Sequence, residues 1–143
     1  MTIARILAEK GREVFTTEPY RTLREVVELL AERGVGAVVV ADASMNVLGI
    51  LSERDVVRVI ARNGAAALDD SVSRHMTPKV TTITRNCTID QAMEMMTEGR
   101  FRHLPVVEDG RLIGIVSIGD VVKRHVSALD HERQALREYI ATA

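Results

Sequence analysis

Two stretches of the chain carry the same pattern of apolar and polar positions. In the first, Leu23, Val26, Val27 and Leu30 recur at i, i+3, i+4 and i+7, the spacing of one buried helix face. Thr22 precedes them as a natural N-cap, and Glu25 three residues on completes a predicted capping box. Gly34 follows, where a left-handed helix end favours a residue without Cβ. The second stretch repeats this: Thr88 and Gln91 for the box, Ile89, Ala92, Met93 and Met96 for the stripe, Gly99 for the stop. Each stretch then runs into two short apolar segments joined by a polar turn. Ala37–Ala41 and Val47–Leu51 flank residues 42–46, and Leu104–Val107 and Leu112–Val116 flank residues 108–111. Val- and Ile-rich runs between turn residues predict hairpins of buried strands. Closing helices are predicted from Asp55 and Asp120.

The correspondence is a duplication. At an offset of 66, Val14-Phe15-Thr16 lies over Val80-Thr81-Thr82, and Ala37–Val40 lies over His103–Val106. One residue drops out in the hairpin turn, and Gly49–Arg58 then lies over Gly114–Lys123 at an offset of 65. Internal repeats of this kind decide the fold before anything else does. They predict a mixed α/β (α+β) chain of two tandem β-α-β-β-α units related by an internal pseudo-two-fold, sheet packed to sheet. The expected division is a helical arm at 1–12, repeat 1 at 13–72, repeat 2 at 73–126 and a C-terminal helix at 127–143. In that last helix Leu129, Leu136, Tyr139 and Ile140 fall roughly on one side. They either cover the domain or meet a second subunit.

Composition narrows the class. Nineteen basic and twenty acidic residues leave a formal net charge of -1, without the basic surplus of a dedicated nucleic-acid binder. Cys87 is the single cysteine, which excludes an internal disulfide and reads as a small half-buried side chain. His75, His103, His125 and His131 lack metal-ligand spacing, so no metal is expected. Arg5, Glu9 and Lys10 interrupt the N-terminal apolar positions, which argues against a signal peptide. No apolar run approaches the ~20 residues that cross a bilayer. The expectation is a soluble cytoplasmic protein.

The candidate chemistry sits at Gly49-Ile-Leu-Ser52-Glu-Arg-Asp55 and Gly114-Ile-Val-Ser117-Ile-Gly-Asp120. One Ser-x-x-Asp at a strand-to-helix junction is adequately explained as a helix cap. Its recurrence at equivalent places, each time behind a glycine that lets something approach closely, points to a ligand as well. A carboxylate at the carboxyl end of a strand suits the hydroxyls of a ribose, as in dinucleotide folds. Arg54, Arg102 and His103 are positioned to meet phosphate, for which the planar Arg fork is well shaped. Arg100 is read as a solvated surface charge. The chain has no Gly-x-x-x-x-Gly-Lys loop and no paired carboxylates with acid–base logic, so an enzyme is not expected.

These motifs, with Arg102-His-Leu-Pro-Val-Val107 and the linker His75-Met-Thr-Pro78, resemble a CBS-domain pair, or Bateman module, over nearly the whole chain. The resemblance implies a stand-alone, non-catalytic module whose clefts bind AMP, ADP, ATP, NAD(H) or S-adenosylmethionine. It also implies a homodimer or higher homo-oligomer acting on a separate target protein. By position it makes Asp55 and Asp120 the ribose ligands, supported by Ser52 and Ser117, with Thr16 and Thr82 beside the adenine. Gly36 and Ala37 would give backbone and space, and Arg54, Arg102 and His103 would contact phosphate. The repeats differ at these positions, which predicts two unequal clefts, and Glu53 is expected to disfavour a polyphosphate in the first. The alternative is a ligand-free interaction module in which both motifs are only caps.

Overall fold

The computed structural model describes residues 1–11 and 14–142. The expected boundary between residues 12 and 13 and the terminal Ala143 lie outside them. Helix α1 (Ile3–Lys10) precedes β1 (Thr16–Thr17), α2 (Leu23–Arg33), β2 (Ala37–Ala41), β3 (Val47–Ser52) and α3 (Glu53–Asn63). A 3-10 turn at Ala65–Asp69 and the short α4 (Val72–His75) form the linker. The second repeat is α5 (Ile89–Gly99), β4 (His103–Glu108), β5 (Arg111–Ser117) and α6 (Ile118–Thr142).

The helix ends follow local chemistry, with two departures from the sequence reading. Thr22 Oγ1 accepts from the Glu25 amide at 3.2 Å, and Gly34 takes the left-handed cap at φ 63°. Glu25 does not complete a box, because its carboxylate turns to Arg21 instead. In α5 the box is complete: Thr88 accepts from Gln91 N, and the Gln91 side chain accepts from Thr88 N. Gly99, expected as the stop, stays helical, and Arg100 takes the left-handed cap at φ 56°. Gly99 is needed for space, since a Cβ there would overlap the Phe101 ring.

The sheets repeat each other closely. In the first, β1 runs parallel to β2, and β2 pairs antiparallel with β3. In the second, β4 pairs antiparallel with β5. The strand expected at 80–82 is reduced to one parallel bridge from Ile83 to Val106, equivalent to Thr17 on Val40. Both hairpins shift register at matching places, Val40/Ala41 and Val106/Val107, so the duplication extends to a β-bulge. The hairpin turns meet where Leu112 N donates to Met45 O at 2.9 Å. β2 is buried along its whole length: Val38 and Val40 face the helices, and alternation points Val39 the other way.

Each repeat is completed by the segment preceding the other. Ile3, Ile6 and Leu7 of α1 enter the second repeat's core with Ile83, Ile89, Met96, Leu104, Val116 and Val121. Val72 of α4 enters the first repeat's core with Leu23, Val26, Val38, Val40 and Leu51. The two motif glycines serve this exchange. A Cβ at Gly49 would stand 2.5 Å from Met76 Sδ, and one at Gly114 would stand 2.7 Å from Leu7 Cδ2. The close approach predicted at these glycines is therefore made by exchanged side chains. The linker is pinned as well: Ile50 and Thr77 exchange backbone hydrogen bonds at 3.0 and 3.1 Å.

The closing helix of repeat 2 and the C-terminal helix are one element of 25 residues, where two were expected. No proline occurs in it, and its only glycine, Gly119, lies in the first turn. Ser127, at the expected break, donates its hydroxyl back to Lys123 O at 3.0 Å within the helix. Leu129, Leu136, Tyr139 and Ile140 are exposed along its distal half. They do not cover the domain.

Candidate functional site

Both Ser-x-x-Asp segments close a strand and open a helix. Ser52 is extended at φ -103°, ψ 164°, and caps α3. Its amide and its hydroxyl both donate to Asp55 Oδ2 at 2.9 Å, and its Oγ accepts from Asp55 N at 3.2 Å. Asp55 is thus the third helical residue. The helix begins at Glu53, two residues ahead of the predicted start, because a reciprocal box places its partner at the third position. This box uses one carboxylate oxygen; among the described residues Asp55 Oδ1 accepts no hydrogen bond.

Asp55 lines a cavity of about 320 Å³ between the repeats, within the size range of small-molecule sites. Of the residues picked out in the sequence, Gly36, Ser52, Arg54, Asp55, Arg102 and His103 line it. Arg100, read as a solvated charge, lines it too, and so do Arg58, Lys79, Val80, Thr81 and Phe101, which the sequence reading missed. Thr82 does not; the preceding Thr81 takes the wall, because register is set by Ile83 on Val106. Ala37 is also outside the lining, buried in β2 opposite Ser52. Thr16 pairs with Val39 in β1 and does not reach this cavity.

Ser117 and Asp120 stand at the other junction, and Asp120 is already engaged. Ser117 N donates to Asp120 Oδ2 at 2.8 Å, and Asp120 N donates to Ser117 Oγ at 3.2 Å. Lys10, from the end of α1, donates to the same Oδ2 at 2.6 Å and to Ile115 O at 3.1 Å. Glu9 pairs with Arg124 of α6 alongside. Burial alone would raise the Asp120 pKa, but the Lys10 ammonium and the Ser117 groups outweigh it and hold the carboxyl below its ordinary value. A depressed carboxylate contributes stability above its unfolded pKa of ~3.9 and loses it as pH falls through the lower folded value. Lys10→Met is therefore expected to cost about 0.2–1 kcal/mol at neutral pH, the range for partly exposed pairs. In urea denaturation at falling pH, the difference from the parent protein should be constant well above the unfolded pKa and shrink as pH falls below it toward the lower folded value. A difference that does not change with pH would assign the effect to packing.

His103 sits between the two junctions. Its Nε2 lies 3.3 Å from where a Gly36 Cβ would stand, so Gly36 gives the imidazole its room. Burial lowers its pKa, with Lys10 and Arg102 acting in the same direction against Glu53 and Asp120. The ring is thus a neutral donor–acceptor at physiological pH rather than a fixed cation.

The fold and the cleft together define a duplicated α/β module with a small-molecule-sized cavity between its halves. The chain belongs to the CBS-domain family, whose "CBS domain" description matches residues 10–62 and 71–127. It is similar to the CBS domain-containing protein CBSX3, mitochondrial, of Arabidopsis thaliana, at 35% identity over 97% of this chain and 71% of that protein. The crystal structure of the CBS-domain containing protein ATU1752 from Agrobacterium tumefaciens superposes with TM-score 0.84 at 50% identity, covering 87% of this chain and 99% of that one. The CBS domain protein PAE2072 from Pyrobaculum aerophilum, solved complexed with AMP, superposes with TM-score 0.75 at 27% identity over 84% and 89% of the chains. No helix among the described residues is long and apolar enough to cross a membrane.

Proposed function

We propose that this protein is a non-catalytic regulatory module that binds an adenosine-containing ligand in the Asp55 cleft and passes the binding state to a separate target protein. The observation that carries the reading is Asp55 itself. One of its oxygens is committed to the helix cap, the other accepts no hydrogen bond among the described residues, and Asp55 lines a cavity together with Phe101, Val80 and five cationic side chains. The open oxygen accepts from a ribose hydroxyl, the flat ring suits a base, and the Arg side chains suit phosphate. The AMP complex of the Pyrobaculum relative supports the same ligand class. The ligands proposed are AMP or another adenine nucleotide, NAD(H) or S-adenosylmethionine, and the compartment is the cytoplasm. Binding regulates by favouring one arrangement of repeats or subunits in a homodimer or higher homo-oligomer, since a ligand shifts only the equilibrium it binds differentially.

The second reading, a ligand-free interaction module, is favoured by one observation: Ser52–Asp55 and Ser117–Asp120 both do cap their helices. A thermal-shift panel with AMP, ADP, ATP, NAD, NADH and S-adenosylmethionine separates the two. A ligand at ~100 times its dissociation constant adds about 2.7 kcal/mol of apparent stability. A well-folded protein whose melting ignores every compound would leave only the interaction module.

A further inference from the structure

Five cationic side chains, Arg54, Arg58, Lys79, Arg100 and Arg102, line the Asp55 cavity against the carboxylates of Glu53 and Asp55. Among the described residues none of the five takes part in an ion pair, which they share with Arg33, Arg62, Arg111, Lys123, Arg133 and Arg137; what sets the five apart is that they converge on one cavity. Glu53, expected to repel phosphate, lines the same cavity and takes part in no ion pair among the described residues. Arg54 and Arg58 stand four residues apart on α3, a spacing at which like charges repel across one helix face. Such a cluster is unfavourable by itself and becomes favourable when an anion meets it.

The placement is specific to one half of a duplicated chain. At the repeat offsets, the counterparts of Arg54, Arg58, Lys79, Arg100 and Arg102 are Gly119, Lys123, Glu13, Gly34 and Gly36. Four of the five cations are absent from the other repeat. Arg100 is the most telling. Gly34 holds the left-handed cap at φ 63°, ψ 36°, without steric cost, and Arg100 holds the same conformation at φ 56°, ψ 35°. A non-glycine residue with a long side chain at such a position stores strain, and strain of this kind gathers at functional sites.

We infer that the Asp55 cleft takes an adenosine ligand with two or more phosphates and discriminates by phosphate count, deepening the adenosine-ligand reading on which it rests. Asp55 and the Phe101 wall hold the nucleoside end, while Arg58, Lys79 and Arg100 serve the phosphates beyond the first. At the Asp120 junction, where Lys10 donates to Oδ2, the matched positions carry one cation, Lys123, in place of five.

The test is calorimetric titration of the full chain in magnesium-free buffer with adenosine, AMP, ADP, ATP and S-adenosylmethionine, and with inorganic tripolyphosphate as the probe lacking a nucleoside. Affinity should rise by about tenfold per added phosphate, the scale of one charge-assisted contact. ATP affinity should fall with added salt while adenosine affinity does not. Arg100→Gly, which suits the left-handed backbone, should melt within a few degrees of the parent protein and flatten the step from AMP to ATP. AMP binding as tightly as ATP, or S-adenosylmethionine binding more tightly, overturns the inference and leaves the adenosine reading intact. Tripolyphosphate binding without any nucleoside binding keeps the anion site and removes the adenosine reading. Binding of none of the six removes both.

Discussion

Ile3→Ala is expected to destabilise the protein by about 2–5 kcal/mol, the usual cost of truncating a fully buried large aliphatic side chain. Ile3 is 0% exposed although it lies at the start of the chain. Its amide also donates to Cys87 O at 2.9 Å, so the arm is tied to the second repeat through both backbone and side chain. Against a typical domain stability of ~5–15 kcal/mol the loss is a large fraction. Urea denaturation measures its size, and hydrogen exchange measures its location. Faster exchange should appear first in α5, β4 and β5, which share a core with Ile3, and not in α2 and β2, which do not. An Ile3→Ala protein as stable as the parent would mean that the arm merely rests on the surface.

Asp55→Asn is expected to weaken ligand binding by about tenfold to a hundredfold, the scale of one charge-assisted hydrogen bond. The amide retains an oxygen to accept from the Ser52 N–H, so α3 stays capped, at a cost of about 0.3–1 kcal/mol in helix-dipole interaction. Comparing the melting temperatures with and without ligand separates the two effects. A variant of nearly unchanged stability that no longer responds to the nucleotide locates the binding at Asp55. Unchanged affinity would confine Asp55 to capping. In Asp120→Asn the expected effect on the ligand is smaller, because the Lys10 ammonium already pairs with Oδ2 of that carboxylate and Asp120 does not line the cavity.

The two helix stripes (except Val27, which is exposed), the hairpins and the paired Ser-x-x-Asp segments were legible in the sequence because each is local, and the duplication because it repeats these local patterns at a fixed offset. A cap, a stripe or a turn is written within about eight residues. What escaped depends on contacts distant along the chain. Gly99 looks like a helix stop until Phe101 is seen to fold against it, leaving Arg100 to turn the chain. Arg58, Lys79 and Arg100 are ordinary surface charges in the sequence, and only the fold gathers them at one cavity. The signal available in advance was the difference between repeats at matched offsets, Gly34 against Arg100 above all. The Lys10–Asp120 pair spans 110 positions, and nothing in the spacing of either residue announces it. The single long α6 escaped for a different reason: the repeat match ends at residue 126, but no proline, and no glycine beyond the first turn, stops the helix there.

The exchange of segments between repeats has a consequence for how the protein is made. Leu7 emerges from the ribosome early, while its core neighbours Val116 and Val121 emerge more than a hundred residues later. At ~5–20 residues per second, the arm's apolar face waits roughly ten seconds for its partners. A nascent first repeat therefore carries an unsatisfied hydrophobic strip throughout its synthesis. Its own core is meanwhile completed only when the linker with Val72 follows. The chain closes on itself from both ends at once, so a ribosome stalled within the second repeat would release a sticky intermediate rather than a finished half.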